Sequence, residues 1–422
     1  MNTLADTPDR ARHELTLHLA LGPAFNMTKG FGSSEMGQTY SRARELCARV
    51  GDRALLFSTL MGLRVFHTAR GQHQAARALG EDLVHLADES ADPALLVAAH
   101  YAIVPSLYYL GEFASVLTHC EQSLSRYDRA QHDEQILSYG QSYAVMTLCY
   151  AAYTRYMLGF PDQALSKVHE ALRLAQELAH PLSYTQALIS ATTIHLFLHR
   201  SQEAHVFAES LIMLAEEHGI PQQISTGTEL RGWAMSQQGQ GARGIEHLQR
   251  GLALAHETGT QIWRTTYLAQ LADTYGHIGN PDEGLRIVTE ALDEVEGTQE
   301  RMYEAEIHRI TGVLTLQQES QKSKVKEQKS KVTAPRPLNP DPRGEAETCF
   351  LQSIAIAQRQ SAKSLELRAT MSLARLWQQQ GKQHDARQAL SAIYNWFTEG
   401  FETKDLQEAK GLIEELGDCV IG

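Results

Sequence analysis

The sequence predicts an all-α solenoid of about nine antiparallel helix hairpins with a period of about 40 residues, and three features of the chain carry that expectation. The first is a regular series of turn residues. Gly30, Gly71, Gly111, Gly159, His199, Gly239, Gly279 and Gly381 are separated by 41, 40, 48, 40, 40, 40 and 102 residues, and fixed spacing of this kind marks stacked supersecondary units. The second is a small residue five positions after most of these turns, at Ala164, Ala204, Gly244, Gly284 and Ala386, where two helices can then approach closely. The third is helix-start chemistry at regular places: Asp92 before Pro93, Asn280 before Pro281, and Pro161, Pro181 and Pro221. Proline suits the first turn of a helix, where its missing N–H costs nothing, and Asp or Asn suits the cap before it.

The stretch Leu271 to Leu292, LADTYGHIGNPDEGLRIVTEAL, is the unit in its clearest form. Small and apolar residues lead to Tyr275, Gly279 turns the chain, Asn280 caps the next helix and Glu283 is placed to complete a capping box. Leu285, Val288, Leu292 and Val295 then share one helical face.

Along the chain, Pro105 lies inside the apolar run AHYAIVPSLYYLG, past any first turn, and predicts a kink. The 48-residue spacing holds a longer loop near Asp128 to Glu134. The 102-residue spacing is two periods plus 22 extra residues, so one further hairpin has its turn interrupted. The interrupting stretch, QQESQKSKVKEQKSKVTAPRPLNPDPR, has seven Lys/Arg, three Asp/Glu and four Pro, a composition that gives no core to fold around. The expected organisation is therefore repeats over 1–316, a basic disordered insertion over 317–343, and final repeats with a capping helix near Thr403 to Leu416 over 344–422.

Those residues resemble the tetratricopeptide repeat. Leu271, Ala272, Tyr275, Gly279, Gly284, Ala291 and Leu292 stand in that family's order, and so do Gly232, Gly239, Gly244, Ile245 and Leu252 one repeat earlier. The longer period looks like the arrays of bacterial signal-transducing ATPases, including the maltose-responsive transcription activator. LRGWAMSQQGQG, MYEAEIHRITG, AKSLELRATMSLARLWQQQGK and FTEGFETKDLQEAKGLIEEL resemble the C-terminal repeat region of large bacterial proteins in which a class III cyclase or protein kinase domain precedes an AAA-type ATPase domain. The chain departs from them at Ser142 and Tyr143, where Asp-Pro is expected after Tyr139-Gly140-Gln141. The resemblance implies a right-handed superhelix, a cytoplasmic signalling role, and a protein or peptide partner that could be a cyclase, a kinase or an AAA-type ATPase.

Chemistry is absent from the motifs. The formal net charge is -12, which disfavours a nucleic-acid partner. Cys47, Cys120, Cys149, Cys349 and Cys419 form no CxxC pair, which argues against structural zinc or a disulfide framework. The start of the chain carries Asp6, Asp9 and Glu14 ahead of LTLHLALGPAF, so no signal peptide is expected. No apolar run is long enough to span a membrane. Gly381-Lys382 has Leu376 where a phosphate loop needs glycine, and HExxH and GxSxG are missing. His195 and His199 are four apart but lack a third ligand at metal spacing. Neither an enzyme activity nor a cofactor is expected.

One pattern points to binding. Positions 2, 3, 6, 10 and 13 before each turn follow the helical period and mark one stripe of each first helix. The resemblance places that stripe on the concave groove. It holds Tyr101, Tyr108, Tyr109, Tyr153 and Tyr156, then Phe197 and Trp233, then Glu229, Asp273, His277, Glu306, Arg309, Arg368 and Arg375. The groove would be aromatic in its first half and charged in its second. Aromatic side chains supply rigid area with a polar tip. The expected function is therefore a regulatory scaffold that takes a peptide or protein domain in this groove, or alternatively a small-molecule sensor domain.

Overall fold

The computed structural model describes residues 7–90, 92–129, 140–329 and 342–418, and those residues form helices and turns with no strand among them. The helices pair in order. α1 (Pro8–Lys29) and α2 (Ser34–Val50) make the first hairpin, α3 (Arg53–Ala69) and α4 (His73–Ser90) the second, α5 (Pro93–Tyr109) and α6 (Phe113–Leu124) the third. The fourth is α7 (Tyr143–Met157) with α8 (Pro161–Leu178), the fifth α9 (Pro181–Phe197) with α10 (Ser201–Glu217), the sixth α11 (Pro221–Gln237) with α12 (Gly241–Glu257). The seventh is α13 (Arg264–His277) with α14 (Pro281–Thr298), the eighth α15 (Glu304–Lys329) with α16 (Pro342–Arg359), the ninth α17 (Lys363–Gln379) with α18 (Gln383–Tyr394), and α19 (Lys404–Asp418) follows.

The local chemistry that defines these elements is visible in the caps. Asp52 and Asp92 accept from the amides of the following first turns at 2.9 to 3.2 Å. Asn280 caps α14 through the amide of Glu283. The expected capping box is only half made, because the Glu283 carboxylate accepts from Arg286 instead, at 2.7 to 3.0 Å. His199, the one turn residue of the series that is not glycine, has a left-handed φ of 57°. The recurring small residues sit at close helix crossings: Ala164, Ala204 and Ala386 are fully buried, and a β-carbon on Gly244 would stand 2.9 Å from the Gly232 carbonyl.

One expectation changes. α15 continues into the basic stretch as far as Lys329, because Gln, Glu and Lys are good helix formers and extending an existing helix avoids the cost of nucleation. Gln321 there donates to the Gly279 carbonyl at 3.0 Å. Pro105, where a kink is expected, lies inside the span of α5. Residues 330–341, and most of the loop expected near Asp128 to Glu134, lie outside the described residues.

First and second helices of the hairpins differ in kind. α8 buries five of its 18 residues, Pro161, Ala164, Val168, Ala171 and Ala175, a stripe of helical period. α7 buries 14 of its 15. A helix covered on every side needs neighbours on every side, and α7 packs against the second helices α6 and α8 and the first helices α5 and α9. The last part of its cover comes from across the superhelix, where α7 meets α17.

That cover follows a rule. The end of each early hairpin's first helix packs on the hairpin five units later. Phe31, in the first turn, donates to Gln222 at the start of the sixth hairpin, at 3.1 Å. Gln261, leading into the seventh, donates to Ala69 O of the second at 2.7 Å. Arg301 and Met302, leading into the eighth, donate to Tyr109 O of the third at 2.7 and 3.1 Å. Ser364 of the ninth donates to Tyr156 O of the fourth. In the fifth, His199 meets Asp405 of α19, so α19 takes the place of a tenth first helix. The superhelix therefore makes one turn in about five hairpins, and successive turns touch.

Candidate functional site

Where the turns touch, the first helices converge on the axis and leave a cavity of about 100 Å³. Its wall comes from all of the first seven hairpins, through residues that include Phe31, Arg64, Tyr101, Tyr153, Gln186, Gln223 and Trp263. The aromatic side chains form a continuous set. Tyr153 meets Trp263 edge-on at 5.3 Å between ring centroids, and Tyr101 stacks on Tyr143 at 4.9 Å. The hydroxyls of Tyr109 and Tyr150 are 3.2 Å apart. Burial pushes the phenols of Tyr150 and Tyr153 well above their ordinary range, and the Cys149 thiol up to about 12. These groups are neutral hydrogen-bonding surfaces at neutral pH, and Cys149 is no nucleophile.

Among the described residues, one full charge stands on this wall. Arg64 is 2% exposed, and its guanidinium carbon lies 5.1 Å from the Tyr101 ring centroid. Its Nε and Nη2 have no acceptor among the described residues, and neither Thr68 Oγ1 nor Gln223 Oε1 has a partner there. Buried polar groups are nearly always paired, and these four atoms stand around one cavity without a partner among the described residues. Burial raises the Tyr101 phenol and nearby Arg64 partly offsets this. A second chamber of about 330 Å³, with Leu19, Pro23, Met27, Leu55, Met61 and Leu182 in its wall, adjoins the first. The two share Phe31, Val65 and Gln141.

The residues expected in the groove separate into three groups. Tyr101 and Tyr153 face the cavity. Tyr108, Tyr156, Phe197 and Trp233 are buried between helices: Tyr156 stacks on Phe197 at 4.8 Å and donates to the Phe197 carbonyl at 3.1 Å, and Phe197 meets Trp233 at 5.6 Å. Glu229 is buried too, and desolvation holds its carboxyl well above the usual carboxylate range. These side chains pack across the axis and do not line an open channel, because the superhelix closes on itself within five units.

The charged residues form a different assembly. Arg309 grips Glu306 through Nε and Nη2 at 2.9 and 2.8 Å. Arg368 reaches Glu306 at 3.2 Å and Asp405 at 3.2 Å. Burial alone would raise Asp405 and Glu306; Arg368 with His199, and Arg309 with Arg368, hold the respective carboxyls below their ordinary values. Asp273 pairs with His277 at 3.4 Å and Arg375 with Glu408 at 2.9 Å, both toward solvent. His195 bonds Ala191 O.

Arg64, Trp263, Gln223 and Tyr150 were not singled out by spacing. The available signal was Arg64 itself, the one charge in the run LLFSTLMGLRVF. Trp263 stands between repeats, with a left-handed φ of 64° that bulky residues rarely adopt.

Among the described residues no group of three or more His, Cys, Asp or Glu could hold a metal ion, and no helix is long and apolar enough to cross a membrane. No known protein family and no curated protein matches the sequence. Solved structures match the fold. A Rap protein complexed with competence and sporulation factor aligns at a TM-score of 0.53 and 11% identity, over 89% of this chain and 99% of that one. Aspartyl phosphate phosphatase F from Bacillus subtilis aligns at 0.46 and 12%, over 94% and 95%. A signal transduction ATPase with a tetratricopeptide repeat sensor from Pyrococcus horikoshii aligns at 0.40 and 13%, over 92% and 55%. The chain is an all-α, tetratricopeptide-like repeat protein.

Proposed function

We propose that this chain is a non-catalytic regulatory protein that binds a small ligand or a short peptide on its superhelix axis and answers by changing how successive turns pack. The observation that carries this reading is the composition of the cavity wall, to which seven hairpins contribute. A guest there touches units that are distant in sequence, and can favour one packing of the turns over another in proportion to its differential affinity. The Rap protein of similar fold holds a factor in its structure, which supports a ligand-binding role for this architecture. The output would be altered affinity for a protein partner, for which a cyclase, kinase or AAA-type ATPase is the class we favour. Val206 and Met213, seven residues apart on α10 and 63% and 68% exposed, give that partner an apolar place to dock.

The test is a thermal-shift screen of metabolites and short peptides, since a ligand of the native form raises stability by mass action. A binder should lose its effect in Thr226→Phe, which fills the cavity from a half-buried position. Stabilisation that survives Thr226→Phe, or no stabilisation across the screen, would remove the axial site from the function. Protein capture with and without the binder then tests the output.

A further inference from the structure

We propose that the axial site is selective for an amphipathic monocarboxylate, with its carboxylate on Arg64 and its apolar body in the adjoining chamber; this rests on the axial-ligand reading above. The argument begins with guanidinium geometry. Nε–H and the neighbouring Nη2–H point the same way and match the two oxygens of one carboxylate. This protein uses that edge twice: Arg309 holds Glu306 by Nε and Nη2 at 2.9 and 2.8 Å, and Arg286 holds Glu283 at 3.0 and 2.7 Å. In Arg64 the same two atoms lack an acceptor, on a side chain that is 2% exposed.

Charge sets the valence. Among the described residues, Arg64 is the one Arg or Lys in the wall of either chamber, and neither wall contains an Asp or Glu. A single negative charge is matched by this wall, whereas a dianion such as a phosphate monoester would leave surplus charge in a buried site. Shape sets the rest. The second chamber is larger, about 330 Å³ against about 100 Å³, is lined mainly by apolar side chains, and meets the first at Phe31, Val65 and Gln141. An acid with an extended apolar body fills both. The acid could be a fatty acid or the C-terminus of a short apolar peptide, which share this chemistry.

The experiment uses the full chain, with decanoate, decanol, the tripeptide Leu-Leu-Phe and its C-terminal amide as probes in calorimetric titration. Saturable binding of decanoate or of the free-acid peptide, at least tenfold tighter than its uncharged counterpart, is expected, and the better acid identifies the source. Arg64→Gln should abolish that preference and leave decanol binding unchanged. Without ligand, Arg64→Met should melt no lower than the unaltered chain, since it removes a buried charge that meets the Tyr101 ring and phenol but no carboxylate among the described residues. Equal binding of acid and neutral probes, no binding of either acid, or a lower melting temperature for ligand-free Arg64→Met would overturn the proposal. Should neither variant fold, the acid-to-neutral ratio on the unaltered chain decides it. A neutral ligand from the wider screen that Thr226→Phe abolishes would overturn the carboxylate and keep the axial site.

Discussion

Arg368 and Asp405 meet with Nε 3.2 Å from Oδ2, and that contact ties the ninth hairpin to α19 at a point where the turn of the fifth hairpin also arrives through His199. Both side chains are largely withdrawn from water, and Glu306 completes the cluster. Taking away one partner of such a cluster leaves the other desolvated and uncompensated. Asp405→Asn should therefore cost on the order of 3 kcal/mol, while Arg375→Ala, which breaks an exposed pair with Glu408, should cost about 1 kcal/mol or less. Urea titration of both variants checks the contrast; equal costs would show that the cluster is not a distinct source of stability.

The pH dependence follows from the same groups. Asp405 and Glu306 are held below their ordinary values of 3.8 and 4.5, so their contribution is present above those values and is lost as pH falls below them. His100, lowered to about 4 by burial and by His119, binds its proton more readily in the unfolded chain. It removes stability as pH falls from 6.5 towards 4. Melting temperature should decline below about pH 6.5 and more steeply below about pH 4.5.

Glu229 has the opposite sign. Desolvation raises its carboxyl, so the native state keeps the proton longer than the unfolded chain, and stability is lost as pH rises above 4.5 through the raised value. Glu229→Gln should raise the melting temperature at pH 8 by roughly 2 °C or more and change it little at pH 4.5. An equal change at both pH values would mean that the carboxyl is ionised in the fold.

Tyr108 and Tyr156 predict different answers to one substitution. The Tyr108 hydroxyl is buried without a partner among the described residues, whereas Tyr156 donates to the Phe197 carbonyl at 3.1 Å. Tyr108→Phe should be neutral or stabilising, and Tyr156→Phe should cost about 1 kcal/mol. Denaturant midpoints of the two variants settle the comparison, and a loss of stability in Tyr108→Phe would reveal a partner for its hydroxyl.

Gly32 tests the contact between turns. A β-carbon there would stand 2.2 Å from the Gly259 carbonyl oxygen, and backbone cannot yield as a flexible side chain does. Gly32→Ala should cost about 1–3 kcal/mol and speed hydrogen exchange at both Phe31 and Gly259, although these lie in the first and sixth hairpins. Faster exchange in the first hairpin alone would place the strain within that hairpin.

The hairpins were legible because their signals are local. Turn glycines, capping Asp and Asn, first-turn prolines and the small residues at crossings each act within one helical turn of themselves. Even the interrupted eighth hairpin could be counted from spacing. The axial site was not legible in the same way. Tyr101 and Tyr153 emerged from the stripe because the stripe marks the inner face, but the same pattern also selected Tyr108, Phe197 and Trp233, which pack against other helices. What separates the two sets is the pitch of the superhelix, which depends on contacts five hairpins apart. Arg64 could have been noticed as a charge in an apolar run, but its lack of an acceptor is a three-dimensional fact. Trp263 lies between repeats, where a search by period does not look.

The five-unit contact also bears on how such a chain can vary over generations. An open array tolerates the gain or loss of a unit, since each unit meets only its neighbours. Here, losing the fifth hairpin would bring Phe31 opposite the seventh rather than Gln222, and would mismatch Ala69, Tyr109 and Tyr156 in the same stroke. Length can still change where it leaves that registration alone, within a turn or beyond the last seam. The extra residues of the eighth hairpin lengthen α15 and lie ahead of α16, so the count of units is fixed by geometry while the span within a hairpin stays open to inheritance.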